Sequence, residues 1–373
     1  MFDFSTYFIY ISLLAVLMSL TCVGSRNSAN SLNFEITPKL RTEHFLALII
    51  IALVVGFRYY VGDDWEGYKY YFQMFKNSPY ISFGNQQMEL GFFYINKIIS
   101  KIGLTYQWMF FTMAFISWYF YFKSVPKQIL SLFIFFLFAD EYFFWSMNGV
   151  RQFVAMGIFL FSIKFIIERN FKVYLLLIIF ASLFHYSILF VAPVYFIPFQ
   201  KLYNQKFWII SFFVSLFFAN TPFLVNGLQN IYIHITNDFP LLSMYEKYFS
   251  NGKYEARNIA LGFGYVFRQL ILIIILIFSK SIIKKYPQTK VYFILYFSGA
   301  IIFNVFYMFQ PVGRLNNYFL IFRPVDLAIV VFYLWKTKKY QFVSISLVLL
   351  YFLLFLAEIY QASNMCSPYQ FSF

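Results

Sequence analysis

The sequence predicts an all-α polytopic integral membrane protein of about ten to twelve transmembrane helices, and three observations lead there. The 373 residues are 61% hydrophobic and only 12% charged, where ordinary soluble domains are about a quarter charged, and the mean hydropathy is +0.67. Apolar runs close to the roughly 20 residues that cross a bilayer recur at 4–23, 43–60, 105–122, 129–147, 150–167, 207–225, 259–279, 291–310, 318–335 and 341–360. None of these runs has the alternation of a barrel strand, and open sheet edges cannot face lipid, so each is expected as a helix.

The first run, MFDFSTYFIYISLLAVLMSLTCVG, carries Asp3 and no basic residue before its apolar core. It therefore reads as a retained span with its N-terminus outside, not as a cleaved signal. The second run, Phe45 to Phe57, leads directly into RYYVGDDWEGYKYY, Arg58 to Tyr71. That stretch gathers an arginine, two adjacent aspartates, a glutamate and several tyrosines where a membrane segment meets water, and the rest of the chain reads as its scaffold.

The later elements are oriented by lysine and arginine. The clusters Lys39/Arg41, Lys123/Lys127, Arg169/Lys172, Lys201/Lys206, Lys280/Lys284/Lys285/Lys290 and Lys336/Lys338/Lys339 all lie in the cytoplasm under two conditions. Residues 89–103 must not cross fully, and residues 172–201 must go out and come back with His185 at the outer apex. The competing parity makes both stretches ordinary crossings, leaves Lys123/Lys127 and Arg169/Lys172 outside and turns Arg151 inward. The first arrangement keeps the basic clusters together and is preferred. It puts the hydrophilic loops near 58–88 and 226–258 on the outer side, with short turns at 146–150 and 310–317. Neither repeat nor linker composition interrupts the chain, so residues 1–373 are expected as one transmembrane domain embedded in the lipid bilayer.

The net charge of +14 is explained by this topology, which argues against a nucleic-acid partner. Cys22 and Cys366 form neither a metal spacing nor a disulfide framework. The chain also lacks a phosphate loop, GxGxxG, HExxH and a serine elbow. Neither a metal nor a cofactor is expected.

Five clusters carry the chemistry: Arg58 with Asp63 and Asp64, Glu89 in MELGFFYIN, Arg151 and Gln152 in SMNGVRQFVA, His185 in ASLFHYS, and Arg314 in PVGRLNNYF. A guanidinium offers a planar fork for phosphate or carboxylate, and a carboxylate in a low-dielectric pocket can become a general base. Each cluster has a structural reading beside the functional one. Arg58 with Asp63 or Asp64 reads equally as an interfacial ion pair, and two neighbouring carboxylates are too few for a metal. Glu89 suits a helix start, His185 a backbone-bonded histidine, and Arg314 a snorkelling side chain. Gly313, Asn316 and Asn317 suggest a turn. Arg151 near a helix start opposes the dipole and is harder to dismiss.

In order, RYYVGDDWEGY, ELGFFYIN, NGVRQFVAMGIFLF, ASLFHYSIL and GRLNNYF resemble the EpsG-like family of bacterial polysaccharide polymerases, relatives of Wzy-type O-antigen polymerases, over roughly residues 45–325. The resemblance implies a multi-span glycosyltransferase with lipid-linked donor and acceptor. It would polymerise undecaprenyl-diphosphate-linked repeat units into O-antigen, capsule or exopolysaccharide at the outer face of the bacterial inner membrane. By position, Arg58, Gly62, Asp64, Tyr68, Glu89, Arg151, Gln152, His185 and Arg314 fall where the family's characteristic residues fall. The implied roles are catalytic for Asp64, Glu89 and His185 and substrate-binding for Arg58, Tyr68, Arg151, Gln152 and Arg314. Trp65 stands where a tyrosine is expected, and Asp63 where a small polar residue is common. A chain-length regulator and a flippase are the implied protein partners. The alternatives are an O-antigen ligase and a lipid-linked oligosaccharide flippase, although the paired broken helices of many transporters have no counterpart in the sequence.

Overall fold

A computed structural model describes residues 3–25, 32, 34, 39–77, 82–83, 86–218, 262–306 and 310–371. Its regular structure is helical apart from a two-residue antiparallel pairing of Ser82–Phe83 with Gln86–Gln87 and an isolated bridge between Arg58 and Phe371. The expected outer loop at 226–258 lies outside the described residues. The chain divides into two compact units, one formed by Met1–Phe196 with Pro324–Phe373, the other by Ile197–Arg323.

In the first unit the helices are α1 (Phe4–Ser25), α2 (Thr42–Gly56), α3 (Trp65–Asn77), α4 (Leu90–Lys101), α5 (Tyr106–Ser124), α6 (Lys127–Ala139), α7 (Tyr142–Asn148), α8 (Val150–Ile167) and α9 (Phe171–Ser182). Helix α5 packs between α2 and α8, α1 lies against α2 and α6, and α9 lies on α8. Aromatic rings fill these contacts. Tyr121 lies 4.5 Å from Phe153, and Phe138 stacks on Phe143 at 4.1 Å and 11°. A 65° bend separates α6 from α7, and of the turn expected at 146–150 only Gly149 lies outside a helix, between the end of α7 and the start of α8.

Helix α3 buries Trp65, Tyr68, Phe72 and Phe75, a single apolar stripe of helical period. Phe75 packs on Phe93 of α4 at 5.1 Å. The 12 residues of α4 rise only about 18 Å, short of the roughly 30 Å hydrocarbon layer. Residues 172–201 do double back. Phe171 at the start of α9 meets Phe196 at 5.5 Å, and Tyr174 donates to the Val191 carbonyl at 2.6 Å in the 3₁₀ stretch Tyr186–Phe196. His185 sits at the reversal.

The second unit holds α10 (Phe199–Leu202), α11 (Gln205–Phe218), α12 (Phe263–Lys285), α13 (Lys290–Val305) and α14 (Gln310–Leu320). Polar side chains join its apolar helices, as hydrogen bonds do where lipid offers none. Asn304 exchanges bonds with Gln269 at 2.9 and 3.1 Å and donates to Ser215 at 3.0 Å. The turn expected at 310–317 is instead part of α14. Asn316 donates through Nδ2 to the Gly299 carbonyl of α13 at 2.8 Å, a bond between two helices that does not need a turn.

The first unit is completed by α15 (Phe322–Thr337, of which Pro324 onward belongs here) and α16 (Gln341–Tyr360). Among the described residues, five helical stretches are long and apolar enough to cross a membrane, with Val312–Thr337 of α14 and α15 counted as one, or six with the bent α6–α7 pair. The protein is therefore an all-α polytopic membrane protein. Two of the runs counted as spans, 43–60 and 207–225, form the shorter apolar helices α2 and α11.

After α16 the chain turns back as a strap. Tyr369 receives the packing of Tyr10 at 5.4 Å, its N–H donates to Thr6 Oγ1 at 2.7 Å, and its hydroxyl donates to the Val54 carbonyl at 2.6 Å. Burial pushes the Cys366 thiol up to about 12, a shift the nearby Arg58 charge only partly offsets. In a Cys22→Ser background, Cys366 is expected to resist maleimide at pH 7.5 until the protein unfolds, since the thiolate is the reactive form. Fast labelling of folded protein would show that the strap is not docked.

Candidate functional site

The loop after α2 is built on Arg58. Its guanidinium is fully buried and donates to the carbonyls of Val61 at 3.0 Å, Met147 at 2.8 Å and Val55, with its carbon 4.0 Å above the Phe110 ring. The ion pair expected with Asp63 or Asp64 is thus replaced by backbone acceptors, which satisfy the fork without a carboxylate. As placed, Arg58 shapes the loop and exposes nothing to a ligand.

Gly62 closes the loop at φ +103°, where a side chain would be strained and would also meet Asn148 Oδ1 at 3.0 Å. Asn148, at the end of α7, joins three segments. Its Oδ1 accepts from the Asp64 N–H at 3.3 Å, and its Nδ2 donates to the Phe144 and Asn364 carbonyls at 3.1 Å each. The strap adds Tyr59 N–H to the Gln370 carbonyl at 2.8 Å and Gly62 N–H to the Met365 carbonyl at 2.9 Å.

Three positions later, α8 presents Arg151. Its Nη1 forms an ion pair with Glu89 Oε2, and His185 Nδ1 lies 3.0 Å from Glu89 Oε1. Glu89 is the N-cap of α4, yet its side chain makes no cap bond; it turns to the arginine and the histidine. Two features bring the hairpin apex to it. Gly91 N–H donates to the Leu183 carbonyl at 2.7 Å, and a Cβ on Gly91 would meet that same oxygen at 2.7 Å. Only glycine permits that approach.

Burial works against the ionised form of Glu89, but the His185 hydrogen bond and the Arg151 charge outweigh it and hold the carboxyl below its ordinary value. Tyr68 of α3 hydrogen-bonds Arg151 and lies within electrostatic range of Asp64, whose side chain is exposed. Arg151 Nε is buried without an acceptor.

The structure therefore brings together Asp64, Tyr68, Glu89, Arg151 and His185 at one end of the first unit. Gln152 is buried in α8 beside Arg151. Arg314 is exposed on α14, in the second unit. The basic residues Lys123, Lys127, Lys164 and Arg41 interact electrostatically along the chain Lys164, Lys123, Lys127, Arg41. From Arg151 to Lys164 α8 rises roughly 20 Å, so this basic group is remote from the Glu89 constellation.

Comparison with family models then decides the family. The EpsG family model matches residues 44–371. The chain belongs to the EpsG family. Searches of curated proteins and of solved structures give no match. The match runs past residue 325, where the sequence resemblance ended, and takes in the strap that holds the Arg58 loop.

Three features escaped the sequence reading: the strap, the Asn148 junction, and Asp326 of α15, which is fully buried with neither carboxylate oxygen hydrogen-bonded. The strap's QASNMCSPYQF has the polar, short-run composition of a frayed terminus. Asp326 had a signal, an acid inside an apolar run.

Glu89→Ala removes the carboxylate and leaves the guanidinium without its counter-charge. It is expected to cost about 3 kcal/mol in thermal unfolding of the detergent-solubilised protein, moderated because the Arg151 side chain is 24% exposed. Because the folded-state value of Glu89 is depressed, its contribution to stability is present above the unfolded value of about 4.3 and is lost as pH falls through the lower folded value. A wild-type advantage over Glu89→Gln that declines below about pH 4 is expected.

Proposed function

We propose that the protein is a polysaccharide polymerase that joins undecaprenyl-diphosphate-linked oligosaccharide repeat units by glycosyl transfer at the outer face of the bacterial inner membrane. The observation that carries this reading is Glu89 holding Arg151 and His185 at one end of the bundle, remote from the basic group at Lys164, Lys123 and Lys127. With those lysines cytoplasmic, the constellation faces outward. Shorter apolar helices such as α2, α9 and α11 would add crossings toward the expected ten to twelve, and a flippase and a chain-length regulator would work beside the enzyme.

In the step itself, an acceptor hydroxyl oxygen bonds to the anomeric carbon of the donor. The bond from that carbon to the carrier diphosphate breaks, and the diphosphate leaves with the electron pair. The hydroxyl proton goes to a base. An ionised Glu89 can only accept hydrogen bonds, so His185 donates through Nδ1 and keeps Nε2 for that proton. Glu89 is then the positioning residue that fixes the imidazole and steadies Arg151. Arg151, with Tyr68 and Gln152 beside it, meets the charge that develops on the diphosphate. Asp64 orients the acceptor, and Arg314 is a separate substrate contact on the second unit.

Glycan ladders from cells carrying single variants test these assignments. A lysine keeps the charge of Arg151 but loses the fork, and its polymerisation rate is expected to fall about a hundredfold. His185→Gln is expected to fall by a factor of about 10² to 10⁴, and Asp64→Asn less. Stable, inserted Arg151→Lys and His185→Gln proteins that both give wild-type ladders would overturn the mechanism.

A further inference from the structure

Next to the Arg151 site, the loop and the first turn of α3 build an aromatic shelf that the transfer step leaves unused. Tyr60 is 57% and Tyr59 38% exposed, while Trp65 beneath them is 1% exposed. The Tyr60 ring lies 4.8 Å from Trp65 at 31°, so it covers the indole and turns its other face outward. Tyr59 stands edge-on to both rings, at 5.2 Å from Tyr60 and 5.3 Å from Trp65. Tyr106 continues the cluster at 5.5 Å from Trp65, and Lys69 lies over both of these rings at 5.2 and 5.4 Å.

The backbone under this shelf is strained. Tyr60 has φ +54°, a left-handed conformation that is costly for a bulky side chain and that persists only where its surroundings impose it. Those surroundings are present: the Tyr60 hydroxyl donates to the Glu66 carboxylate, and the preceding residue is pinned to the strap through Gln370. Such strain at an exposed aromatic residue points to use by a ligand, because packing alone would bury the ring.

We infer that Tyr60 and Tyr59 form a glycan subsite, taking one pyranose ring of the repeat-unit oligosaccharide against the outward face of Tyr60. A pyranose has an apolar C–H face that suits a flat ring and hydroxyls that need acceptors at its edge. Exposed Asp63 and Glu66 flank the shelf and supply those acceptors. The same carboxylates disfavour the phosphate of a lipid headgroup, the other natural companion of interfacial tyrosines. The subsite is close to the chemistry. Trp65 precedes Tyr68 by one helical turn, and Tyr68 bonds Arg151. This inference rests on the polymerase reading for the identity of the sugar.

The test uses the full-length chain in lipid nanodiscs and the lipid-free repeat-unit oligosaccharide released from the producing organism's own polysaccharide. Saturation-transfer NMR is expected to show transfer to the ring protons of one sugar. Tyr60→Gly, which removes both the ring and the strain, is expected to bind at least about tenfold more weakly with an equal or higher melting temperature. Tyr60→Phe keeps the ring and is expected to bind within about threefold of wild type. Equal binding by wild type and Tyr60→Gly would assign the rings to the headgroup layer and overturn the inference. If Tyr60→Gly fails to fold, Tyr59→Ala stands in, with the same loss expected and wild-type binding counting against the shelf. Ladders in cells with no transfer from the oligosaccharide would overturn the shelf and leave the polymerase reading standing. Transfer that is lost in Tyr60→Gly, from a chain that yields no ladders, would do the reverse.

Discussion

A guanidinium withdrawn from water at the end of a membrane bundle must find acceptors, because its desolvation is otherwise uncompensated. The first unit meets that demand twice, in different ways. Arg58 takes three backbone carbonyls and an aromatic face, partners that fix a loop but leave nothing to exchange. Arg151 takes a carboxylate that also holds a histidine, and an ion pair can be re-partnered when a diphosphate arrives. The same residue type is structural in one place and suited to chemistry in the other. The acceptor decides which.

This distinction also shows how far the sequence could be read. The all-α membrane class, the short α4, the reversal at His185 and the break at Gly149 were visible because hydropathy, lysine placement and segment length act locally along the chain. Glu89, Arg151 and His185 could be singled out as ionisable groups at membrane boundaries, but not as mutual partners. Their meeting depends on the close approach of Gly91 to Leu183, a contact between residues far apart in the chain. Arg58 was misassigned to the aspartates for the same reason, since its Met147 acceptor lies 89 positions away. The 310–317 turn failed because Asn316 has a partner on another helix.

The strap extends this logic to the end of the described chain. Residues 364–370 bond the loop that carries Asp63 and Asp64, the Asn148 junction and, through Tyr369, the first two helices. The family match reaches 371, so this segment is part of the matched module. It bonds the residue before the exposed Tyr60, whose φ is +54°. Aspartates, aromatic shelf and arginine helix are thereby set relative to one another by hydrogen bonds to backbone, which are insensitive to the identity of most strap side chains.

The central claim is that the Glu89, Arg151 and His185 constellation transfers glycan from one lipid carrier to another. Its most direct test is reconstitution of the purified chain in proteoliposomes with lipid-linked repeat units, without nucleotide sugars or other proteins. Lengthened lipid-linked glycan and one free undecaprenyl diphosphate for each bond formed are expected, both abolished in Glu89→Ala. Movement of repeat units across the bilayer with no lengthened product, or lengthening that persists undiminished in Glu89→Ala, would contradict it.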